Sequence, residues 1–457
     1  MVFDINNNLD LLDGVFSQFQ MNWYIYEKMY WYYMGLTDTN KRHEFISDFS
    51  DDLTDAMAAY SFVNDRFNSK INTNFMKKFI KEEVSYSVGI DVTYISRSGD
   101  EDIINTIIQN FSQWPEDNDI TLCKNMLIYS MSFELYYIDK NAQFRSKIIT
   151  PRHGFAYTDD NGNILFFMHV FRKQFDTNIC IDIYTDEEII HCNEVFDEIA
   201  ERDINIFGVV PVGIAQLSEE GWLDTIYNDI KSLQDAYERN LSDISQEITE
   251  FRNAYLWLNN IAIQNTDLPK MKRDGVMQTK GNTGQAQWLI KNINDTFIQN
   301  TLNTLEDKMY QMSAHINNHE KMPSNTSSLA LRARLISLEE KCKLNQKALA
   351  NCMKTRLQML FLYLNKLKGS NYDYKDIKTK FTPNIPSDDM VNAQIISQLG
   401  DKLSIETGLA QLSFIENPKE ELQKIKQESE DAVFGAILMG GGKPPVGGDG
   451  SGGQGES

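Results

Sequence analysis

The chain has 457 residues, 42% of them hydrophobic, which is enough for a large core or several domains and excludes an intrinsically disordered protein. Its 65 acidic and 44 basic residues give a formal net charge of −21, which excludes nucleic-acid binding through overall charge, although a repelled nucleic acid can still pass without adhering. No apolar run reaches the roughly 18 residues of a membrane-spanning helix, and five cysteines without a CxxC pair argue against disulfides or zinc and favour a reducing compartment.

Helices are predicted over most of the first quarter of the chain. Residues 10–35 are rich in Trp and Tyr at spacings that fit one or two packed core helices ending at Gly35. A base-stacking surface is the less favoured alternative, because such surfaces carry interleaved basic residues and only Lys28 occurs here. The other three helices are predicted over residues 50–68, over 70–88 with a C-cap at Gly89, and over 100–113.

Strands are predicted from Ile90, where the apolar period changes to two, and they dominate from Leu122 to Val210. The cluster Asp160–Asn163 between two apolar runs predicts a hairpin turn, so we expect an antiparallel sheet and a mixed α+β first domain over residues 1–221. The further candidate strands are Met126–Ile138, Arg145–Thr150, Gly154–Thr158, Ile164–Arg172, Asn178–Tyr184 and Glu188–Asn193.

Long helices are predicted in the middle of the chain. Apolar residues recur every three or four positions from Ile226 to Leu258, with no Pro or Gly to break the run, which predicts one helix over residues 222–260. Further helices are predicted over about 294–316 and 328–368. The first two are separated by an irregular segment with a surplus of basic residues, which are Lys270, Lys272, Arg273 and Lys280.

The C-terminal part is predicted to consist of short elements. Residues 376–382 are expected to form a lone strand, and three short helices are predicted over residues 387–435, starting near Ser387, near Ser404 and at a capping box over Asn417–Glu420. The last 18 residues contain nine Gly and are predicted to be a flexible tail.

Catalytic signatures are missing, since the sequence lacks GxxxxGK[ST], GxGxxG, HExxH and GxSxG patterns. His315 and His319 have a spacing that can hold a metal, but they lie where a helix should end, so neither a metal site nor a cofactor is predicted. The first long helix carries a series of carboxylates, which form a solvated face, the wall of a channel, or the metal ligands of a nuclease. They are Asp224, Asp229, Asp235, Glu238, Asp243, Glu247 and Glu250.

The segment 317–327 separates two predicted helices and is long for such a connection. It is either a plain surface connector or a functional element positioned by rigid helices. Thr326 or Ser327 is the predicted cap of the helix that follows.

A series of short motifs runs along nearly the whole chain. Asn72–Tyr94 fits N-F…V…Y-x-x-G-x-P-V-x-Y, with Asp91 in place of Pro, and Phe133–Asp139 followed by Pro151 fits Y-E-x-x-Y-x-D…P. Asn325–Leu331 is similar to S-G-x-A-L, with Ser328 in place of Gly, and a C-terminal block is formed by Phe381–Pro386 and Leu403–Thr407. In this order the motifs resemble those of the portal (head–tail connector) proteins of tailed bacteriophages, in the branch found in long-tailed phages of Gram-positive hosts.

The resemblance implies an α+β, predominantly helical portal fold that forms a closed ring of about twelve subunits. Residues 1–221 would form the wing, 222–260 and 291–316 the two stem helices, and 261–290 the clip. The tunnel loop would be 317–327, a long wing helix with a return strand 328–386, the crown 387–439 and the flexible tail 440–457.

The function implied is a ring at one capsid vertex through which double-stranded DNA is packaged and ejected, without catalysis by the chain itself. Its partners would be other copies of the chain, the terminase large subunit, a head–tail adaptor and the major capsid or scaffold protein. It would reside in the virion, and in the host cytoplasm during assembly. DNA would meet the loop at His319, Lys321, Asn325 and Thr326, and partners would meet the clip at Lys270, Lys272, Arg273 and Lys280. A helical minor head or scaffold protein that forms no ring, or a metal-dependent nuclease, is the alternative.

Overall fold

The structure is a computed structural model, and it describes residues 8–39, 70–176, 178–251, 255–259, 285–289, 295–317, 328–383, 396–398, 404–409, 412 and 421–427. The chain divides into two compact units, Met1–Asn384 and Ile385–Ser457. In the second unit a short helix covers Ile405–Leu409, and the Ser404 hydroxyl accepts a hydrogen bond from the Thr407 N–H, so the predicted helix start is confirmed. The helix predicted over 50–68, the start near Ser387, the capping box and the tail lie outside the described residues.

The first unit is a mixture of helices and antiparallel strands. Its helices are α1 (Leu9–Met34), α2 (Phe75–Val88), α3 (Glu101–Phe111), α4 (Asn118–Tyr129), α5 (Ile226–Phe251), α6 (Asp295–Met312) and α7 (Ser328–Lys368). Its strands are β1 (Thr93–Ser96), β2 (Met131–Ile138), β3 (Phe144–Ile149), β4 (Gly154–Thr158), β5 (Ile164–Arg172), β6 (Ile179–Tyr184), β7 (Glu188–Asn193), β8 (Asp203–Ile204), β9 (Val212–Gln216), β10 (Tyr255–Asn259), β11 (Gln285–Leu289) and β12 (Ile377–Lys380).

The strands form two main sheets and two ribbons, all antiparallel. The larger sheet has the order β4-β5-β6-β7-β8 and the smaller one β3-β2-β9, while β1 pairs with β12 and β10 with β11. Successive residues of β5 point to opposite faces of the larger sheet: Met168 packs in a cluster with Leu12 and Val15 of α1, and Phe167 packs with Phe133 of the smaller sheet. The larger sheet therefore lies between α1 and the smaller sheet, and the expected α+β class is confirmed.

One predicted strand begins too early and includes the end of a helix. Residues 126–129, assigned to a strand from the sequence, form the end of α4, and only Met131–Ile138 is strand. Leu122, Cys123 and Met126 are all buried, as are the last three residues of the helix, so the apolar run has no polar face that would reveal a helical period. Ser130 has a φ of 71°, which ends α4 and turns the chain into β2.

The first long helix is also shorter than predicted. It begins at Ile226, after a 3-10 turn over Gly221–Leu223, and ends at Phe251, whereas Tyr255–Asn259 form β10. The spacing of three residues between Tyr255 and Leu258 fits a helix as well as a strand. The pairing with β11 makes this segment a strand, and such a long-range contact is not visible in the periodicity of the sequence. The helix predicted over 294–316 ends at Met312, and the third runs from Ser328 to Lys368 as predicted.

Two smaller expectations also change. Strand β12 is not alone, because it pairs with β1 over four residues, from Ser96↔Ile377 to Thr93↔Lys380. Helix α2 ends before Gly89 as expected, but Gly89 has a φ of −69° and does not use the left-handed conformation that favours Gly. Gly35, with a φ of 86°, does so at the end of α1.

The environment of His169 on β5 leads us to expect that the stability of the fold depends on pH. Its ring stacks on Phe171 with centroids 4.7 Å apart, its Nδ1 is buried without a hydrogen-bond partner, and burial, followed by repulsion from Lys147 and His153, lowers its pKa to about 3. The unfolded chain takes up a proton at His169 below pH 6.5 and the folded chain does not until about pH 3, so this contribution to stability is complete above pH 6.5 and falls with acidification.

On going from pH 7 to pH 5 the free energy of unfolding of the wild type should fall by about 2 kcal/mol more than that of His169→Phe. Urea unfolding at both pH values measures the two decreases. His191 is the matched control, because hydrogen bonds to Asp182 and Asp203 raise its pKa despite partial burial, and its contribution has the opposite sign. His191→Asn should steepen the acid loss, and a His169→Phe profile parallel to the wild type would contradict the prediction.

Candidate functional site

Helices α5 and α6 form a paired-helix arm together with the strands that join them to the intervening segment. The two helices pack against each other, and β10, which follows α5, pairs antiparallel with β11, which precedes α6. Ile226, Tyr227 and Ile230 at the start of α5 share the main core with Met309 and Tyr310 near the end of α6. The helices therefore run in opposite directions, with one end of the arm rooted in the core.

The other end of the arm is exposed in the single chain. No residue of α5 beyond Ser242 whose side chain the structure describes is buried. Ile248 is 58% exposed and Phe297, in the first turn of α6, is 69% exposed. Apolar side chains at these positions are the feature expected where a partner covers the surface.

The buried face of α5 beyond Ile230 is polar. Gln234, Glu238 and Ser242, which follow one another at intervals of four residues, have exposures of 0%, 0% and 7%. We call these three residues the polar stripe. It faces the segment before α2 and the first turn of α2, and it accepts hydrogen bonds from their backbone: Ile71 N–H donates to Ser242, Thr73 N–H to Glu238 and Met76 N–H to Gln234. The stripe thereby supplies acceptors to backbone N–H groups before α2 and in its first turn, where a helix has no acceptors of its own.

Glu238 is the centre of the polar stripe. Its carboxyl oxygens also accept hydrogen bonds from the Thr37 hydroxyl at 2.6 Å, the Thr73 hydroxyl at 3.3 Å and the Gln234 side-chain amide at 3.1 Å. Thr37 follows α1 and Thr73 precedes α2, so this one carboxyl group joins the arm to both N-terminal helices. Because its oxygens accept hydrogen bonds from these donors, Glu238 is a structural anchor of the arm.

A second contact joins the arm to α1 at Asp235. Its carboxylate accepts hydrogen bonds from the Tyr32 hydroxyl at 2.8 Å and from Lys231 at 2.7 Å, and Lys231 also contacts Asp38 at 2.8 Å. Burial raises the pKa of Tyr32, and the neighbouring Asp235 raises it further. The Lys231 contact lowers the pKa of Asp38 in spite of partial burial, so both Asp38 and Lys231 remain charged at neutral pH.

These contacts correct the interpretation of the acidic series on α5 as one solvated face. Asp224, Asp229 and Asp243 are exposed, but Asp235 is half-buried and Glu238 is fully buried. Among the described residues, no group of three or more His, Cys, Asp or Glu side chains is placed to hold a metal ion. The geometry therefore gives no support to a metal-dependent nuclease built on this helix.

His315, the first member of the possible metal pair, belongs to the core. Its ring nitrogens lie 2.8 Å from the Ser313 carbonyl oxygen and 3.1 Å from that of Phe79, and its ring lies 4.4 Å from the Phe79 ring. His319, Lys321, Asn325 and Thr326 of the loop, like Lys270, Lys272, Arg273 and Lys280 of the basic segment, lie outside the described residues, so their predicted roles stay predictions.

Sequence reasoning missed the polar stripe. Its residues alternate with the apolar residues Leu233, Tyr237 and Leu241, which predict the buried face but are only half-buried. A repeat of polar residues at intervals of four was visible on α5, but the same repeat occurs on solvated faces. The residues that identify Glu238 as buried are its hydrogen-bond donors Thr37 and Thr73. They lie far from Glu238 in the sequence, so only the fold shows that they are close to it.

Comparison with known proteins places the chain among related sequences. A family model described as "Phage portal protein, SPP1 Gp6-like" matches residues 17–433. A curated relative, the "Portal protein" of Bacillus phage SPP1, is 21% identical over 430 residues, covering 87% of this chain and 82% of the relative. The solved structures "Neck of empty GTA particle computed with C6 symmetry" and "Virion of native gene transfer agent (GTA) particle" each have a TM-score of 0.44 and 8% identity, covering 73% and 74% of this chain and 88% of theirs.

Within the part of the chain that the structure describes, no helix is long and apolar enough to cross a membrane.

Proposed function

Since the chain belongs to the SPP1 Gp6-like family of phage portal proteins, which are structural components of the virion, we propose that it forms a closed ring at one vertex of the capsid and that the genome is packaged and ejected through this ring. The observation that carries the proposal is the family match over residues 17–433. The chain itself catalyses nothing in this proposal, and hydrolysis of ATP belongs to a partner, because no nucleotide-binding motif occurs in the sequence.

The paired-helix arm supplies the stem of the proposed ring. Its root is held by the core and by the polar stripe, while Ile248 and Phe297 are exposed at the other end. In a head-to-tail ring each arm lies against the arms of two neighbours, which would remove these apolar side chains from water. The exposed carboxylates Asp224, Asp229 and Asp243 favour a wall along which DNA slides because phosphates are repelled from it.

The other portal regions follow by position. We propose that the clip extends from the β10–β11 ribbon, which begins at Tyr255, and that Lys270, Lys272, Arg273 and Lys280 in the clip meet an acidic partner, either the terminase large subunit or a head–tail adaptor. Residues 317–327 would be the tunnel loop, with His319, Lys321, Asn325 and Thr326 towards the DNA. The wing would be residues 1–221 with α7 and β12, in contact with capsid or scaffold protein, and the crown would lie within 387–439.

The test is the mass and symmetry of the purified full chain, measured by native mass spectrometry and negative-stain microscopy, alone and co-expressed with the capsid and scaffold proteins. We expect a closed ring of about twelve subunits with a central hole. A monomer or small oligomer under both conditions would overturn the proposal and favour a helical head or scaffold protein that forms no ring.

The channel itself is tested in a co-expression that also supplies the terminase and a genome to package, with a variant in which the four loop residues are replaced by Ala at unchanged loop length. Rings and capsids should form as in the wild type, whereas the DNA content of the capsids, measured by quantitative PCR after nuclease treatment, should fall at least about tenfold, which corresponds to 1.4 kcal/mol in a rate-limiting barrier. Normal filling would contradict a role of these side chains in DNA passage.

A further inference from the structure

A groove of about 450 Å³ lies between the middle of α7 and the outer edge of β12. Its floor includes the apolar residues Leu357 and Ile377, which belong to a core cluster of the first unit. Its walls carry four cationic side chains and no carboxylate. We call it the basic groove, and its cations are Arg97, Lys354, Lys375 and Lys378.

The three lysines of the basic groove are available to a ligand. All four residues are exposed, and among the described residues no ion pair joins any of the three lysines to a carboxylate. Asp376, the nearest acidic neighbour in sequence, accepts hydrogen bonds from the hydroxyls of Ser96 and Ser98 at 2.6 and 2.9 Å, on the side of β1. Hydrogen bonds from Ser96 and Ser98 lower the pKa of Asp376 and the charge of Arg97 lowers it further, so the three lysines supply the positive charge that is available at this groove.

The edge of β12 gives the groove a second binding feature. In the part of the chain that the structure describes, β12 pairs with β1 alone, so its other edge is open. At the end of the ribbon the Arg97 N–H donates a hydrogen bond to the Asp376 carbonyl oxygen. In an antiparallel pair, residues that hydrogen-bond to the partner strand alternate with residues that do not. The backbone groups of Lys378 and Lys380 therefore pair with β1, whereas the backbone N–H and C=O of Thr379 face the groove. Open backbone groups of this kind accept an additional strand.

We propose that the basic groove binds an extended acidic segment of another polypeptide, which adds as a strand to the open edge of β12 and places Asp or Glu side chains against the three lysines. The open edge and the apolar floor favour a polypeptide over a nucleic acid, since a phosphate backbone uses neither. The net charge of the chain also repels a long polyanion more than a short acidic peptide. The proposal does not depend on the channel function, because the groove is complete within one chain.

The probe is a fluorescein-labelled peptide of eight alternating Glu and Val residues, and its binding to the full chain is measured by fluorescence anisotropy. A peptide with Gln in place of Glu should bind at least about tenfold more weakly, and raising the salt from about 50 to 300 mM should weaken the Glu peptide further by screening. Equal affinities of the two peptides, or no binding of either, would overturn the proposal. Displacement of the probe by duplex DNA at lower concentrations than by unlabelled Glu peptide would also overturn it.

Substitutions inside and outside the basic groove test where the Glu peptide binds. Lys354→Glu with Lys378→Glu should weaken the Glu peptide at least about tenfold, whereas Lys140→Glu with Lys173→Glu, an equal charge change at exposed positions outside the groove, should leave affinity within about twofold. Thr379→Pro removes the outward N–H without disturbing the pairing with β1, so it should fold and still bind about tenfold more weakly. Wild-type affinity in the double Glu variant would exclude this groove, and wild-type affinity in Thr379→Pro would exclude strand addition.

Discussion

Replacement of Arg356 by Met is expected to destabilise the first unit by about 3–5 kcal/mol. Arg356 is 2% exposed on α7, and its guanidinium contacts Glu134 of β2 at 2.9 and 3.0 Å and Asp119 of α4 at 2.7 Å. Glu134 is fully buried, so the variant leaves a buried carboxylate without its cation. The loss is measured by urea unfolding followed by tryptophan fluorescence, to which Trp114 contributes from a position 5.1 Å from the guanidinium carbon.

The double variant Arg356→Met with Glu134→Leu separates the cost of an unpaired charge from the value of the pair. Replacing both partners by apolar side chains removes the unpaired charge, so the double variant should be more stable than Arg356→Met by at least about 2 kcal/mol. Lys354→Met, an exposed position half a turn away on the same helix, should change stability by less than about 0.5 kcal/mol. An Arg356→Met variant within 1 kcal/mol of the wild type would show that the buried ion pair does not hold α7 to the sheet.

Replacement of Glu238 by Ala is expected to release the root of the paired-helix arm, at a cost of at least about 3 kcal/mol. The Thr37 hydroxyl, the Thr73 N–H and the Gln234 amide would all lose their acceptor inside the protein. The effect should be local, because the hydrogen-bond partners that the structure describes for this carboxyl group lie on α5, after α1 and before α2. Hydrogen–deuterium exchange should therefore rise by at least about tenfold in peptides covering residues 70–76 and α5, which corresponds to 1.4 kcal/mol of lost protection.

Asp243→Ala is the matched control for Glu238, since Asp243 is an exposed carboxylate on the same helix. It should leave exchange in both segments within about twofold of the wild type. Glu238→Gln retains one acceptor oxygen and should give an intermediate increase. If Glu238→Ala exchanges as slowly as the wild type in residues 70–76, the backbone of that segment is held by contacts other than the polar stripe.

Local patterns predicted several elements with their observed bounds. The bounds of α7 and of β4, β5 and β7 coincide with those predicted from the sequence, and turn residues mark several of these ends, such as Asp160–Asn163 between β4 and β5. The errors occur where long-range pairing decides. Tyr255–Asn259, predicted to be helical, forms a strand that pairs with β11, and β12, predicted to be a lone strand, pairs with β1.

The burial of individual polar side chains could not be predicted from sequence patterns. Glu238 and Arg356 look like surface residues, since both are charged residues on long helices, and each is buried only because donors or acceptors from distant elements converge on it. The motif series identified the portal family, which the family comparison confirms. The loop and clip residues named from that resemblance lie outside the described residues, so the resemblance remains their support.

The β1–β12 ribbon sets an order for folding during synthesis. Ser96 and Asp376, which hydrogen-bond at one end of the ribbon, are 280 residues apart, so the first unit cannot close until the ribosome has produced nearly all of it. At roughly 5–20 residues per second, β1 waits about 15 to 55 seconds for its partner strand. During that interval β1 is an unpaired edge and Glu134 lacks its guanidinium. We therefore expect a chain truncated before Arg356 to be recovered as aggregate.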